Sequence, residues 1–256
     1  MMKEDLEKSV LKTLDAEEKI MPYLPELLRD LWSLGSPPER IIDIFEPLNL
    51  PKLETRVLDL GCGKGAISII LAYQLGFQVL GIDGCREFLD EAQVKANEYR
   101  VESLCEFKFA DIREFVKQAQ GYDVVIYASV GNVLGSHLER VGKLRKCIRS
   151  GGYMLIDDGY LKGKEGYSGY LSHDETLAQL LYYGDKLLRE VEYSDEETRD
   201  INERYLKVIN RRAKEIMGRR ADLVALLENY IHSQEQECER MDKYFRWTTW
   251  LLQRVG

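Results

Sequence analysis

The stretch VLDLGCGKGAISIILA, residues 57–72, decides the predicted fold. An apolar run ends in a turn crowded with glycines, and apolar residues then resume at helical spacing. This order predicts a strand, a tight turn and a helix, which is the opening unit of a doubly wound α/β domain. Gly61 and Gly63 lack a Cβ atom, so backbone N–H groups can approach a ligand there. The helix that follows presents a partial positive charge suited to a carboxylate or phosphate.

Further short apolar segments follow and alternate with helical patterns. The predicted strands are residues 77–83, 105–110, 122–128, 152–158, 186–193 and 244–254, and the intervening helices are near 64–75, 86–99, 112–119 and 137–149. Strands that alternate with helices predict a parallel sheet with right-handed crossovers. The glycine-rich turn alone also satisfies the loose dinucleotide-binding fingerprint, so it does not identify the ligand.

Five segments in register carry a more specific signal. VLDLGCGKG, GID, FADI, YDVVIYAS and GGYMLIDD occur in this order between residues 55 and 160. Together they resemble the class I S-adenosylmethionine-dependent methyltransferases, and Asp59, two residues before the first glycine, favours that family over nicotinamide enzymes. The resemblance implies a Rossmann-like α/β fold: a doubly wound, mostly parallel seven-stranded sheet with an antiparallel last strand. It implies S-adenosyl-L-methionine as cofactor and S-adenosyl-L-homocysteine as its product.

The resemblance also assigns the cofactor-binding positions. They are Asp59, Gly61, Cys62, Gly63, Asp83, Gly84, Ala110, Asp111, Ile112, Tyr127 and Ala128. The backbone of the glycine-rich turn would meet the methionine end of the cofactor, and Asp59 would orient that turn or bind the methionine amine. Asp83 would accept hydrogen bonds from both ribose hydroxyls, and Asp111 would meet the adenine amine, cap the next helix, or do both. Residues 127–130 would lie under the transferring methyl group.

Candidates for a general base lie at the end of the fifth predicted strand and beyond it: Asp157, Asp158, Tyr160 and His173. Side chains alternate along a strand, so Asp157 and Asp158 face opposite sides, and the sequence leaves open which one faces the ligand. His173 has a suitable ordinary pKa, but it ends a polar, glycine- and tyrosine-rich loop at 162–173, where a solvated histidine is the competing interpretation. We expect that loop to be mobile and to lie at the carboxyl edge of the sheet, where ligands bind.

Composition and charge narrow the function. The chain has 256 residues and a net charge of −8, which argues against a nucleic-acid partner or an anionic membrane. No segment is long and apolar enough for a membrane span, and the first residues lack a signal region, so we expect a cytoplasmic protein. The 5 cysteines and 3 histidines show no metal-ligand or disulfide spacing, so no metal site is predicted.

The chain is expected to have three parts. The first is an N-terminal helical segment, residues 1–50, with helices near 3–19, 25–34 and from 38 onward. The second is the methyltransferase core, residues 51–193 and 243–256. The third is an inserted helical hairpin, residues 194–242, broken at Gly218. The hairpin could be a lid, a homodimer surface or a stabilising appendage. Its arginines alternate with carboxylates, which favours a solvated helix face over a nucleic-acid patch.

Three functions remain open at this point. The first is a methyltransferase for a small-molecule acceptor, with an enclosed pocket beside Tyr127 and Tyr160 roofed by the N-terminal helices. The second is a methyltransferase for protein or RNA, and the third is a non-catalytic cofactor-binding module. The glycines and Asp83 are all present, so the third has no support in the sequence.

Overall fold

The computed structural model describes residues 2–14, 16–163 and 170–256. The predicted loop at 162–173 therefore lies partly outside the described residues, and so does its Tyr167. Among the described residues, no helix combines the length and the apolar character needed to cross a bilayer.

The described strands form one seven-stranded sheet in the order β3-β2-β1-β4-β5-β7-β6. The strands are β1 (Arg56–Leu60), β2 (Gln78–Asp83), β3 (Cys105–Phe109), β4 (Tyr122–Ala128), β5 (Ile148–Leu161), β6 (Lys186–Glu192) and β7 (Phe245–Gln253). The predicted seven-stranded, doubly wound sheet is confirmed. The chain order reverses direction across the sheet between β1 and β4, which is the switch point where ligands bind in folds of this kind.

The central strands of the sheet run parallel to one another, whereas β7, which lies next to β5, does not. Leu58 of β1 lies opposite Leu80 of β2 on one side and Val125 of β4 on the other, in parallel register. At the start of β5, Gly152 accepts a hydrogen bond from Arg254 N at 2.9 Å, just after β7 ends. β7 therefore runs antiparallel to β5, as the resemblance implied.

Helices cover both faces of the sheet or extend the chain beyond it. They are α1 (Met2–Thr13), α2 (Leu24–Leu27), α3 (Pro38–Phe45), α4 (Ala66–Leu75), α5 (Arg86–Glu98), α6 (Ile112–Phe115), α7 (His137–Cys147), α8 (His173–Leu180), α9 (Asp195–Arg219) and α10 (Val224–Tyr244). The helix predicted over 25–34 is wrong in length, since only α2 forms. Asp30, beyond the end of α2, instead contacts Arg211 and Arg212 of α9 at 2.5 Å each.

Contacts divide the chain into two compact units. The first contains Met1–Trp32, Gly159–Ser172 and Glu192–Trp247; the second contains Ser33–Asp158, His173–Val191 and Thr248–Gly256. In the first unit α9 and α10 pack against each other. The helical nature of residues 194–242 is as predicted, and α9 ends at Arg219, one residue after the break predicted at Gly218.

Charges on α9 are paired with acids of the same unit. Arg211 and Arg212 contact Asp30, and Arg219 contacts Glu26 at 2.5 Å. At its start, α9 carries a capping box, in which Ser194 N donates to Glu197 Oε2 at 2.7 Å and Glu197 N donates to Ser194 Oγ at 3.1 Å. These three arginines of α9 thus serve intramolecular ion pairs, in keeping with the interpretation of a solvated helix face.

Candidate functional site

The glycine-rich turn lies between β1 and α4, at the carboxyl edge of the sheet. Gly61 and Gly63 have φ of 77° and 52°, in the left-handed region where a side chain is strained. A Cβ on Gly61 would lie 2.6 Å from Val130 Cγ2, and one on Gly63 would lie 3.4 Å from Leu34 Cδ1. The turn is therefore approached by the residues that follow β4 and by a segment that precedes α3.

The N–H groups of this turn are occupied by protein acceptors. Gly61 N and Cys62 N both donate to the Ile82 carbonyl, at 2.8 and 3.1 Å, and Gly63 N donates to Asp83 Oδ2 at 2.8 Å. This corrects the expectation that the turn presents N–H groups to a ligand. The β2 carbonyl and the Asp83 carboxylate use those groups to hold the turn in place, so a ligand ammonium would meet its carbonyl oxygens instead.

Asp83, the last residue of β2, links two backbone turns. Besides Gly63 N, its carboxylate accepts a hydrogen bond from Cys85 N at 2.8 Å. Burial raises the pKa of Asp83, and the N–H groups of Cys85, Gly63 and Gly84 oppose that rise. A carboxylate has about four lone-pair directions, so each oxygen can still accept from a hydroxyl. The predicted ribose contact remains compatible with this geometry.

Asp59 lies beneath the same turn and is almost completely buried. Its Oδ2 accepts a hydrogen bond from Ser68 Oγ of α4 at 2.6 Å. Burial, and to a smaller extent the nearby charge of Asp83, raise the pKa of Asp59 to about 6, although the hydrogen bond from Ser68 lowers it. The contact with α4 favours the loop-orienting role over direct binding of an amine. Because burial makes negative charge costly at both Asp59 and Asp83, a cationic ligand would be favoured nearby.

Lys64, to which the sequence assigned no role, points away from the edge of the sheet. It is 1% exposed, and its Nζ lies 2.8 Å from Glu91 of α5 and 5.6 Å from the centre of the Phe88 ring. Lys64 therefore ties the turn to α5.

Asp111 caps α6. Its Oδ1 accepts from Arg113 N at 2.8 Å, and the Arg113 guanidinium contacts both carboxylate oxygens. Burial would raise the pKa of Asp111, but the hydrogen bonds and the charge of Arg113 outweigh it and hold the pKa low. Ala110 N donates to the Asp83 carbonyl at 3.1 Å, so the adenine positions predicted at Ala110–Ile112 lie next to the ribose position.

Tyr127 and Ala128 end β4, and the Tyr127 side chain is fully buried. Its hydroxyl donates to the Gly131 carbonyl at 2.8 Å, and the Arg140 guanidinium lies 4.8 Å from its ring centre. Burial raises the pKa of this phenol to about 12. These contacts give Tyr127 a structural function, in holding the turn after β4, that the sequence did not suggest.

The candidate base residues lie in different surroundings. Asp158 Oδ2 pairs at 2.5 Å with Arg140 Nη1 of α7, whose side chain is fully buried. His173, the first residue of α8, has Nε2 2.7 Å from Glu190 Oε1, and that oxygen also accepts from Trp250 Nε1 at 2.8 Å. Burial lowers the pKa of His173, but the hydrogen bond and charge of Glu190 outweigh it and the pKa is raised.

Tyr160 belongs to the first compact unit. Its hydroxyl donates to Glu192 Oε1 in that unit. Asp158, His173 and Tyr160 are therefore each engaged by a charged side chain, and their catalytic assignment stays a prediction.

Sequence reasoning missed Ser36 and Ser129 altogether. Ser129 follows β4 with φ of 55°, and its Oγ lies 2.8 Å from Ser36 Oγ and 3.5 Å from Asp157 Oδ1. Gly35 permits this approach, since a Cβ there would lie 2.4 Å from the Ser129 Cβ. A residue forced into the left-handed region cannot be read from a single sequence; the glycine before a serine was the only available signal.

The fold and the turn at β1, with an acid ending β2, define a Rossmann-like α/β protein that binds a ligand at the carboxyl edge of its sheet. A methyltransferase domain family model matches residues 51–217. The chain belongs to this methyltransferase domain family, which confirms the resemblance to class I S-adenosylmethionine-dependent methyltransferases and the prediction that the protein is an enzyme. A comparison with curated protein sequences found no match.

Solved structures share the fold. An S-adenosylmethionine-dependent methyltransferase from Geobacter sulfurreducens, in complex with S-adenosyl-L-homocysteine, has 20% identity and a TM-score of 0.78, over 90% of this chain and 96% of that one. A corresponding complex from Thiobacillus denitrificans has 19% identity and a TM-score of 0.77, over 90% and 97%. YjhP from E. coli has 18% identity and a TM-score of 0.78, over 91% and 98%. At this identity the likeness concerns the fold.

Proposed function

We propose that this protein transfers the methyl group of S-adenosyl-L-methionine to a small-molecule acceptor. The observation that carries the proposal is the bridge from Asp83 to Gly63 within a methyltransferase-family domain, because it places an acid and the glycine-rich turn together at the switch point. The structural neighbours from Geobacter sulfurreducens and Thiobacillus denitrificans, which hold S-adenosyl-L-homocysteine, support the same donor.

The residues fit the parts of that donor. Asp83 would accept from the ribose hydroxyls, Asp111 from the adenine amine, and the carbonyl oxygens of residues 61–63 from the methionine ammonium. Asp59 and Asp83, whose pKa values are both raised by burial, would be relieved by the positive charge of the ligand. When bound, the donor supplies an activated methyl group, and the protein orients it and keeps water away.

A small acceptor is favoured over RNA by charge. The chain carries a net charge of −8, and the arginines Arg211, Arg212 and Arg219 of α9 are engaged with acids. An RNA acceptor requires a track of cations free to meet phosphates. Charge does not distinguish a protein acceptor from a small-molecule acceptor, so the experiment below is designed to do so.

The test has two stages. Calorimetric titration should show binding of S-adenosyl-L-methionine and S-adenosyl-L-homocysteine but not of NAD or NADP; heat with NAD alone would overturn the donor. Transfer of a labelled methyl group in a cell extract, with the low-molecular-mass fraction and the macromolecular fraction assayed separately, should label the former. Label confined to protein or RNA would favour the macromolecular alternative.

We also propose that residues 194–242 act as an accessory hairpin that forms a homodimer surface. The observation behind this is that α9 and α10 pack on each other, with Ile209, Ile216 and Leu227 buried in the first unit. Light scattering after size exclusion measures whether the protein is a dimer. A monomer at all accessible concentrations would exclude the dimer surface.

A further inference from the structure

A short hydrogen-bonded chain of side chains lies at the carboxyl ends of β4 and β5. Ser129 is exposed, whereas Ser36 and Asp157 are buried. Ser36 N donates to Ser129 Oγ at 3.1 Å, and Ser129 Oγ donates to Asp157 Oδ1 at 3.5 Å. Thr249 Oγ1 of β7 donates to the other carboxylate oxygen, Asp157 Oδ2. The chain therefore runs from an exposed hydroxyl to a buried carboxylate.

This chain borders the glycine-rich turn. Val130, next to Ser129, lies against Gly61, and Leu34, two residues before Ser36, lies against Gly63. All of these residues belong to the second compact unit. Ser129 is therefore the exposed hydroxyl that follows β4 beside the turn where the donor is proposed to bind.

The structure also separates the two neighbouring acids. Asp158 turns to the buried guanidinium of Arg140, whereas Asp157, on the other face of the strand, turns to Ser129. Within the described residues, the contact between Asp157 and Ser129 links that acid to an exposed side chain.

We propose that Ser129 and Asp157 form a proton relay and that the methyl acceptor is an amine or a hydroxyl compound, which carries a proton on its nucleophilic atom. The proposal rests on the proposed function. The acceptor nitrogen or oxygen forms a bond to the methyl carbon while the carbon–sulfur bond of the donor breaks. The electron pair of the broken bond stays on sulfur. The acceptor proton passes to Ser129 Oγ as the Ser129 proton passes to Asp157, so the carboxylate ends as a carboxylic acid and Ser129 is restored.

Ser36 and Thr249 act as positioning residues in this relay. A hydroxyl oxygen accepts about two hydrogen bonds, and both sites on Ser129 Oγ face Ser36 N and Ser36 Oγ. The acceptor therefore takes the place of the Ser36 hydroxyl, which rotates away, while Ser36 N keeps the orientation of Ser129. The Thr249 hydroxyl supports the charged form of Asp157 before transfer.

The test uses the full chain and needs no knowledge of the natural acceptor. The variant S129C places a thiol where the relay has its hydroxyl, and the probe is S-adenosyl-L-methionine itself. Thiol sulfur would bond to the methyl carbon, the donor would leave as S-adenosyl-L-homocysteine, and the thiol proton would pass to Asp157. Peptide mass spectrometry should find one added methyl group at position 129, and the double variant S129C/D157N should gain it at least tenfold more slowly.

Matched controls keep the result interpretable. S103C places a thiol at an exposed serine just before β3, at the opposite edge of the sheet, and should stay unmodified. S129G removes the hydroxyl from a left-handed position that glycine prefers, so it should fold and bind S-adenosyl-L-homocysteine like the unaltered protein. Loss of that binding in S129G would place Ser129 in the donor site and overturn the relay.

The outcomes separate the two proposals. If the unaltered protein fails to bind S-adenosyl-L-homocysteine by calorimetry, the proposed function is wrong. If S129C binds it but is not methylated, or if D157N leaves the methylation rate unchanged, the relay is wrong while the proposed function stands.

Discussion

Gly63 N donates a hydrogen bond of 2.8 Å to Asp83 Oδ2, across 20 residues of sequence. The turn after β1 and the end of β2 are thereby held together by the side chain that is proposed to bind the donor ribose. One carboxylate thus has a structural function and a proposed binding function, and the two are separable by measurement.

We expect Asp83→Ala to weaken the binding of S-adenosyl-L-homocysteine at least about a hundredfold, because two hydrogen bonds to a charged acceptor, each worth about 1.5–3 kcal/mol, are lost. Calorimetry measures the dissociation constant, and circular dichroism checks the fold. Asp90→Ala, which removes an exposed acid on α5, is the matched control and should bind normally. An unchanged constant for D83A would remove Asp83 from the site.

Asp158→Asn should lower the free energy of unfolding by about 3–5 kcal/mol, because it leaves the fully buried Arg140 guanidinium without its anion. Urea denaturation measures the change. The double variant R140M/D158L should be less destabilised than D158N, since it removes both charges together. If D158N unfolds at the same urea concentration as the unaltered protein, the Arg140–Asp158 pair does not stabilise the fold. The catalytic assignment of Asp158 would then gain support.

His137 makes stability depend on pH in the acid range. Burial, and then the charge of Arg140, outweigh the attraction of Asp158 and lower its pKa to about 4, against an ordinary value of 6.5. The folded state therefore resists protonation, so this contribution is complete above pH 6.5 and is lost as the pH falls toward 4. Its size is about 3 kcal/mol, from 1.36 kcal/mol per pKa unit.

The measurement for His137 is urea unfolding at several pH values between 7 and 4.5. His137→Gln, which keeps a polar side chain but does not titrate, should lose less stability over that interval than the unaltered protein. The difference between the two curves isolates His137 from the carboxylates, which lose stability in both proteins. Parallel curves would show that His137 does not titrate as described.

Substitution of two glycines by alanine should change the free energy of unfolding in opposite directions. At Gly35 a Cβ would lie 2.4 Å from the Ser129 Cβ, so Gly35→Ala should destabilise the protein by about 1–3 kcal/mol. Gly218 lies inside α9 with open space around it, so Gly218→Ala should stabilise by about 0.5–1 kcal/mol. Urea denaturation measures both, and a stable G35A variant would contradict the close approach of Gly35 to Ser129.

The sequence by itself determined the class of fold and the class of enzyme. The apolar runs that end in Gly61, Asp83 and Asp111 predicted strands and the edge where a ligand binds, because these signals are local and recur in order. The antiparallel last strand, which the family resemblance implied, was likewise found.

Only the tertiary structure decided the surroundings of individual side chains. The sequence around Asp158 does not indicate that Arg140 is its ion-pair partner. Ser36 and Ser129, whose hydroxyls are hydrogen-bonded, are separated by 93 residues. The N–H groups of the glycine-rich turn were expected to face a ligand, yet Ile82 and Asp83 accept from them. The physical reason is that a buried polar group must find a partner wherever the fold places one, and that partner is selected by distance in space and not along the chain.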